Sequence, residues 1–182
     1  DIIIGGKRHI ESLEKYAKNK EYCYINANLQ RILDFIEQNR NKKISLILSG
    51  DTGFYSMLTF MRKHFKANEL NVIPGISSIQ YMFAKISEYW NDAFISSVHG
   101  REVNYVEKLR EFRKIGLLTD KKNTPQKIAE ALVEAGMEEA IIFVGENLSY
   151  ENEKITKMKA REMMKIEKEF EMNVAVIYWT EK

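Results

Sequence analysis

The sequence predicts an α/β protein built as two α/β halves, residues 1–75 and residues 76–182. Short β-branched runs alternate with amphipathic helical stretches along the chain, the pattern of largely parallel sheets joined by helices. The strand candidates outnumber what one sheet of this size usually carries, which favours two sheets. One of only two prolines, Pro74, stands in IPGIS between a strand-like run and a helix start, where it fits a hinge between the halves.

The elements follow in order. Ile2–Ile4 is a β-branched run and reads as a strand, followed by a helix over Arg8–Lys18. Tyr22–Ile25 is an apolar strand that includes Cys23, read as a buried thiol. Leu29, Ile32, Leu33 and Ile36 recur at helical spacing and place a helix over Asn28–Arg40. Ile44–Leu48 and Asn71–Ile73 read as strands on either side of a helix over Phe54–Phe65. In the second half, Ser77 and Gln80 form the S-x-x-Q capping box that opens a helix over Ser78–Ser87. Strands follow at Ala93–Val98, Ile115–Thr119, Ala140–Val144, Lys154–Lys157 and Val174–Tyr178, and the last of them, within NVAVIY, reads as buried. Helices are expected over Val103–Arg113, Pro125–Glu134 and Ala160–Glu169. Thr124 before Pro125 is an N-cap with proline at the first helical position. Met57, Met61, Met163 and Met164 are read as core packing.

Composition narrows the function classes. The 182 residues are 45% apolar and 30% charged, ordinary for a folded soluble chain. A net charge of +2 creates no global field toward nucleic acid or membrane, so an acidic substrate must be met by local cations. A single cysteine excludes an internal disulfide framework and fits a reducing compartment, hence a cytoplasmic protein. No apolar stretch reaches the length of a membrane span, and no signal peptide is visible. The dinucleotide fingerprint, the Walker A sequence, a GxSxG elbow and metal-ligand spacing are all absent from the sequence.

Four loops remain as carriers of chemistry. In LSGDTGFYS a strand ends, Gly50 turns the backbone and a helix is expected near Gly53, so Asp51 or Thr52 is either a helix cap or part of a ligand site. In VIPGISSIQ, Gly75 permits close backbone approach, in a hinge or at a ligand. In SVHGRE, His99 and Arg101 flank a glycine at a strand end; arginine grips carboxylates bidentately and histidine transfers protons, though a solvated surface turn fits as well. GGKRH places Lys7, Arg8 and His9 at a helix start, against the helix dipole, a mild conflict that points to a ligand.

Taken in order, IIIGGKRHIESL, LSGDTGFYSML, NVIPGISSIQ, SSVHGRE, GLLTDKKNTPQKIAEAL and IFVGENLSYENEKI resemble the tetrapyrrole methylase superfamily. VHGR together with GENLSYENEKI resembles its cobalt-precorrin-7 (C5)-methyltransferases, which serve cobalamin biosynthesis. The resemblance implies two α/β domains with S-adenosylmethionine in the cleft between them, a cobalt-precorrin substrate and a homodimer. It implies donor contacts from Gly50, Asp51, Phe54, Ser77, Ser78, Thr119, Asp120, Asn147 and Leu148. His99 and Arg101 would lie near the tetrapyrrole, with Lys7 and Arg8 as further substrate candidates and His99 as the general base. No metal site is implied.

Two departures from the family pattern stand out. Thr52 occupies a position where relatives often carry proline, and the chain opens at Asp1 on what resembles the family's second strand. A strand–loop–helix segment is therefore expected upstream, with a groove beside Ile2–Ile4 or Ile44–Leu48 where it is missing. The C15-methylating, decarboxylating domain of some relatives is not expected in this chain, and a separate subunit is expected for that step. Another enzyme of the superfamily, such as a diphthine synthase or a ribosomal RNA 2'-O-methyltransferase, and a non-catalytic ligand-binding protein are the alternatives. Against the RNA enzyme, no basic face interleaved with aromatics is legible.

Overall fold

The computed structural model describes residues 1–13, 15–26 and 28–180. The chain divides into two compact units, Asp1–Gly75 and Ile76–Lys182.

The first unit runs β1 (Ile2–Gly5), α1 (Lys7–Leu13), β2 (Glu21–Tyr24), α2 (Leu29–Gln38), β3 (Ile44–Ile47), α3 (Leu58–His64) and a 3-10 turn at Ala67–Glu69. Its sheet is parallel throughout, in the order β2-β1-β3. Ile2 and Ile4 of the central strand pack on Ile32 of α2, so one face of that amphipathic helix closes the core. Asn28 caps α2 by accepting from the Arg31 N–H. A groove of about 500 Å³ borders β3, lined by Ile44, Leu46, Leu48, Met61, Phe65 and Val72 among others.

Several boundaries differ from the sequence reading. The first helix runs to Leu13 instead of Lys18: position 14 lies outside the described residues, and residues 15–19 form turns that close on Asn19 in a left-handed backbone (φ 63). The third helix starts at Leu58, not Phe54, because Tyr55 takes a left-handed backbone (φ 51) that no helix continues through. Residues 71–73 have no strand partner among the described residues, and Ile73 is 71% exposed, so they form a connection rather than the expected strand. Cys23 is half-buried because β2 is an edge strand; that burial still pushes its thiol pKa up.

The second unit runs α4 (Ser78–Lys85), β4 (Phe94–Ser97), α5 (Tyr105–Phe112), β5 (Lys114–Leu118), α6 (Pro125–Glu134), β6 (Ile141–Glu146), β7 (Lys154–Lys159), α7 (Ala160–Met163) and β8 (Asn173–Tyr178). The sheet order is β4-β5-β8-β6-β7. Only β4 and β5 pair in parallel; β8 enters antiparallel between β5 and β6, and β6 and β7 form a hairpin. The expectation of largely parallel pairing is thus corrected here, since the hairpin reverses the chain and β8 returns alone. β8 is buried as its composition predicts. Ile115, Leu117, Ile128, Leu132, Ile142, Val144 and Ile177 form the core between the sheet and its helices.

Glycines in the sheet seat α4. A Cβ on Gly116 would stand 3.1 Å from Ile79, and one on Gly145 would stand 2.6 Å from the Met82 sulfur, so both strands are bare where this helix rests. Thr124 and Pro125 open α6 as expected. The last predicted helix is cut to Ala160–Met163, because Gln126 and Glu146 claim groups of the following strap: the Gln126 amide donates to the Lys168 carbonyl, and Lys168 Nζ reaches Glu146 at 2.7 Å. Met61 and Met163 are buried as expected, Met57 is half-buried, and Met164 is exposed because it lies past the end of α7.

Candidate functional site

Strand register gathers the candidate loops within each unit. In the first, Gly5 of β1 pairs in register with Ile47 of β3, so the loops that begin at Gly6 and Leu48 leave the sheet side by side at its carboxyl end. In the second, Ser97 pairs with Leu118, Leu118 with Val174, and Val174 with Gly145. Hence the VHGR, TDKKN and ENLS loops emerge along one end of that sheet, the end where open α/β sheets bind ligands.

Asp51 is not a helix cap. Its Oδ1 accepts from the Gly53 N–H at 2.8 Å, closing an Asx turn, and its Oδ2 accepts from the Gly75 N–H at 3.2 Å. Thr52 Oγ1 donates to the Ile73 carbonyl, which ties the same two stretches again. Gly50 has φ 69, a left-handed conformation that glycine adopts without strain. A Cβ on Gly75 would lie 2.3 Å from the Gly50 carbonyl oxygen, so close backbone packing requires glycine at position 75. Phe54 is half-buried and packs edge-on to Tyr55.

Lys7 and Arg8 open α1 and are exposed, with Lys7 3.8 Å from Glu11. His9 is half-buried, and its Nε2 has no hydrogen-bond partner among the described residues. Burial first, and then the neighbouring Arg8 charge, lowers its pKa and favours the neutral ring.

In the second unit, Ser77 caps α4 reciprocally: its Oγ accepts from the Gln80 N–H at 3.1 Å while Gln80 Oε1 accepts from the Ser77 N–H at 2.8 Å. Ser78 is the first helical residue. Thr119 Oγ1 donates to the backbone and side-chain oxygens of Asn173. Asn147 takes a left-handed backbone (φ 48), donates its N–H to the Met172 carbonyl and its amide to Glu171. Leu148 is held in the core next to Gly145 between two left-handed residues, Asn147 and Ser149. The segment Glu171–Asn173, which sequence reasoning missed, therefore anchors two candidate loops at once.

Asp120 is the organiser of the third loop. Oδ2 accepts from the Gly100 N–H at 2.9 Å, and Oδ1 accepts from the N–H groups of Lys122 (2.9 Å) and Asn123 (2.6 Å) and from the Asn123 amide. Asn123 also donates to the Val98 carbonyl. The D-x-x-N spacing was the overlooked signal for this turn. These bonds, the Asn123 N–H first and the Gly100 N–H next, push the carboxyl pKa down to about 2 from 3.8. A depressed carboxylate stabilises the fold above its unfolded pKa and loses that contribution as pH falls through the folded one. The stability difference between the parent and Asp120→Asn should thus hold above about pH 4 and close by about pH 2. Denaturant titrations of both proteins across that range check it, and a constant difference would contradict it.

The turn that Asp120 holds borders a groove of about 630 Å³, lined by residues that include Gly100, Arg101, Glu102, Tyr105, Asp120 and Lys122. Arg101 is exposed on it; His99 is exposed nearby but does not line it. Gly100 has φ 63 and nothing within 4 Å of where a Cβ would stand, so the groove is open above it. Among the described residues no group of three or more histidine, cysteine and acidic side chains could hold a metal ion, and no helix is long and apolar enough to cross a membrane.

The fold is that of known methylases. A cobalamin-biosynthetic precorrin-6Y methylase from Archaeoglobus fulgidus superposes with a TM-score of 0.74 at 19% identity, over 99% of this chain and 85% of that one. A uroporphyrin-III C-methyltransferase from Thermus thermophilus, solved with S-adenosyl homocysteine, superposes with a TM-score of 0.67 at 17% identity, over 97% and 80% of the two chains. The model of the tetrapyrrole (corrin/porphyrin) methylases matches residues 1–164, and the chain belongs to that family. The cobalt-precorrin-7 C(5)-methyltransferase of Salmonella typhimurium is 34% identical over 177 residues, 97% of this chain and 85% of that protein.

Proposed function

We infer that this chain is an S-adenosylmethionine-dependent methyltransferase acting on carbon 5 of cobalt-precorrin-7 in cobalamin biosynthesis. The observation that carries this is the 34% identity to a protein of that name over nearly the whole chain. The loop geometry supports it. Asp51, Ser77, Thr119 and Asn147 spend their side chains on turns, caps and neighbouring segments of the protein. What such loops present to a ligand is largely backbone N–H and C=O, which suits an adenosyl group that needs donors and acceptors rather than counter-charge.

When bound, S-adenosylmethionine supplies a methyl already activated on a sulfonium, so the protein's work is to orient and to exclude water. We assign donor contact to Gly50, Asp51 and Phe54 in the first unit, and to Ser77, Ser78, Thr119, Asn147 and Leu148 in the second. His99 accepts the proton released at the methylated ring, and Arg101 grips a peripheral carboxylate; Lys7 and Arg8 are further substrate contacts. A homodimer in the cytoplasm, beside a separate subunit for the C15 step, completes the proposal.

A charge-assisted hydrogen bond contributes roughly 1.5–3 kcal/mol. Arg101→Ala should therefore weaken tetrapyrrole binding about tenfold to a hundredfold and leave donor affinity, read by calorimetry, unchanged. Equal loss of both ligands would mean that Arg101 supports the fold instead.

A further inference from the structure

We propose that Lys122 joins Arg101 to form a two-cation receptor for one peripheral carboxylate of the substrate, and that Asp120 is the positioning residue that sets the two cations together. The proposal rests on the reading above that this groove receives the tetrapyrrole. Arg101 and Lys122 come from different loops, after β4 and after β5, yet line the same groove. Asp120 makes that coincidence: one carboxylate oxygen takes the N–H beside Arg101, at Gly100, and the other takes the N–H of Lys122 itself. The Lys122 ammonium lines the groove with no ion pair or side-chain hydrogen bond among the described residues, so it is available to a ligand there.

Two negative groups also border the groove. The Asp120 carboxylate accepts four hydrogen bonds from N–H donors, which spread its charge into the loop and reduce its repulsion of an incoming anion. Glu102 is exposed, in solvent that screens it. The unit thus presents two exposed cations on an open groove over Gly100, a geometry for a carboxylate rather than for a neutral edge.

The test uses the full chain and uroporphyrin, a fluorescent porphyrin polycarboxylate, titrated by fluorescence quenching, with S-adenosylmethionine affinity measured in parallel by calorimetry. Lys122→Ala should weaken uroporphyrin binding about tenfold, Lys122→Arg should stay within about twofold of the parent, and the Arg101→Ala/Lys122→Ala pair should lose less than the product of the single losses. Asp120→Ala should weaken uroporphyrin binding and leave donor affinity as it was. Parental affinity in Lys122→Ala, with Arg101→Ala impaired, would overturn this proposal and leave the groove assignment standing. Losses that multiply would overturn the shared carboxylate. Parental affinity in both single variants would overturn the groove assignment itself. A donor affinity that falls with Asp120→Ala would return Asp120 to the donor site.

Discussion

Gly75→Ala is expected to abolish measurable donor binding and to cost the first unit about 2–3 kcal/mol, the upper range for forced overpacking. The added methyl would sit 2.3 Å from the Gly50 carbonyl oxygen and close to the Gly50 carbonyl carbon, at 3.1 Å. Both are backbone atoms, so no rotamer change relieves the clash. Either the SGDTGF loop or the Ile73–Gly75 stretch must move, and the Asp51–Gly75 and Thr52–Ile73 bonds go with it. Asp51→Ala keeps the packing and loses only the side-chain bonds, so its donor affinity should fall by about tenfold, one net hydrogen bond's worth. Calorimetry with S-adenosylmethionine and thermal melts on both variants separate the two effects. A Gly75→Ala protein that binds the donor like its parent would show that this backbone contact does not shape the site.

The second large effect belongs to Gly145. Here the obstacles are side chains: the Met82 sulfur at 2.6 Å and Leu148 Cδ2 at 2.8 Å from an added Cβ. Gly145 is buried on β6 under α4, so neither side chain has open solvent to swing into. Gly145→Ala should cost about 2 kcal/mol and should move the Asn147–Ser149 turn, whose two left-handed residues set where Leu148 enters the core. Because Leu148 is one of the clashing groups, Leu148→Ala in the same chain should recover part of the loss. Alone, Leu148→Ala should be destabilising by about 2–3 kcal/mol, since it empties a buried site. Denaturant melts of the four proteins form a double-mutant cycle, and strictly additive losses would show that the two residues do not compete for space.

These two glycines also mark what the sequence could and could not say. Signals that act within a few residues were readable: the Ser77–Gln80 box, the Thr124–Pro125 start and the spacing of Ile32 and Leu33 on α2 all appear as their local chemistry requires. Features set by distant partners were not. The late start of α3 follows from the left-handed backbone at Tyr55, which apolar spacing does not reveal, and the antiparallel entry of β8 depends on the β6–β7 hairpin, which periodicity cannot orient. The strap after α7 is irregular because Gln126 and Glu146, distant in sequence, hold its carbonyls and Lys168. At the candidate site, the motifs located the loops and left Asp51 as either a helix cap or part of a ligand site; its carboxylate in fact bonds the Gly53 and Gly75 N–H groups and caps no helix. That the Asp120 carboxylate also organises its own turn is visible only once the Gly100 and Asn123 N–H groups are positioned.

The measurement that bears most directly on the central claim is a single-turnover incubation with cobalt-precorrin-7 and S-adenosylmethionine carrying an isotopically labelled methyl group, with the product resolved by mass spectrometry and NMR. The result expected is one labelled methyl attached to carbon 5, with the donor converted to S-adenosylhomocysteine. A label on another carbon, or a bound donor that transfers nothing to this tetrapyrrole, would contradict it.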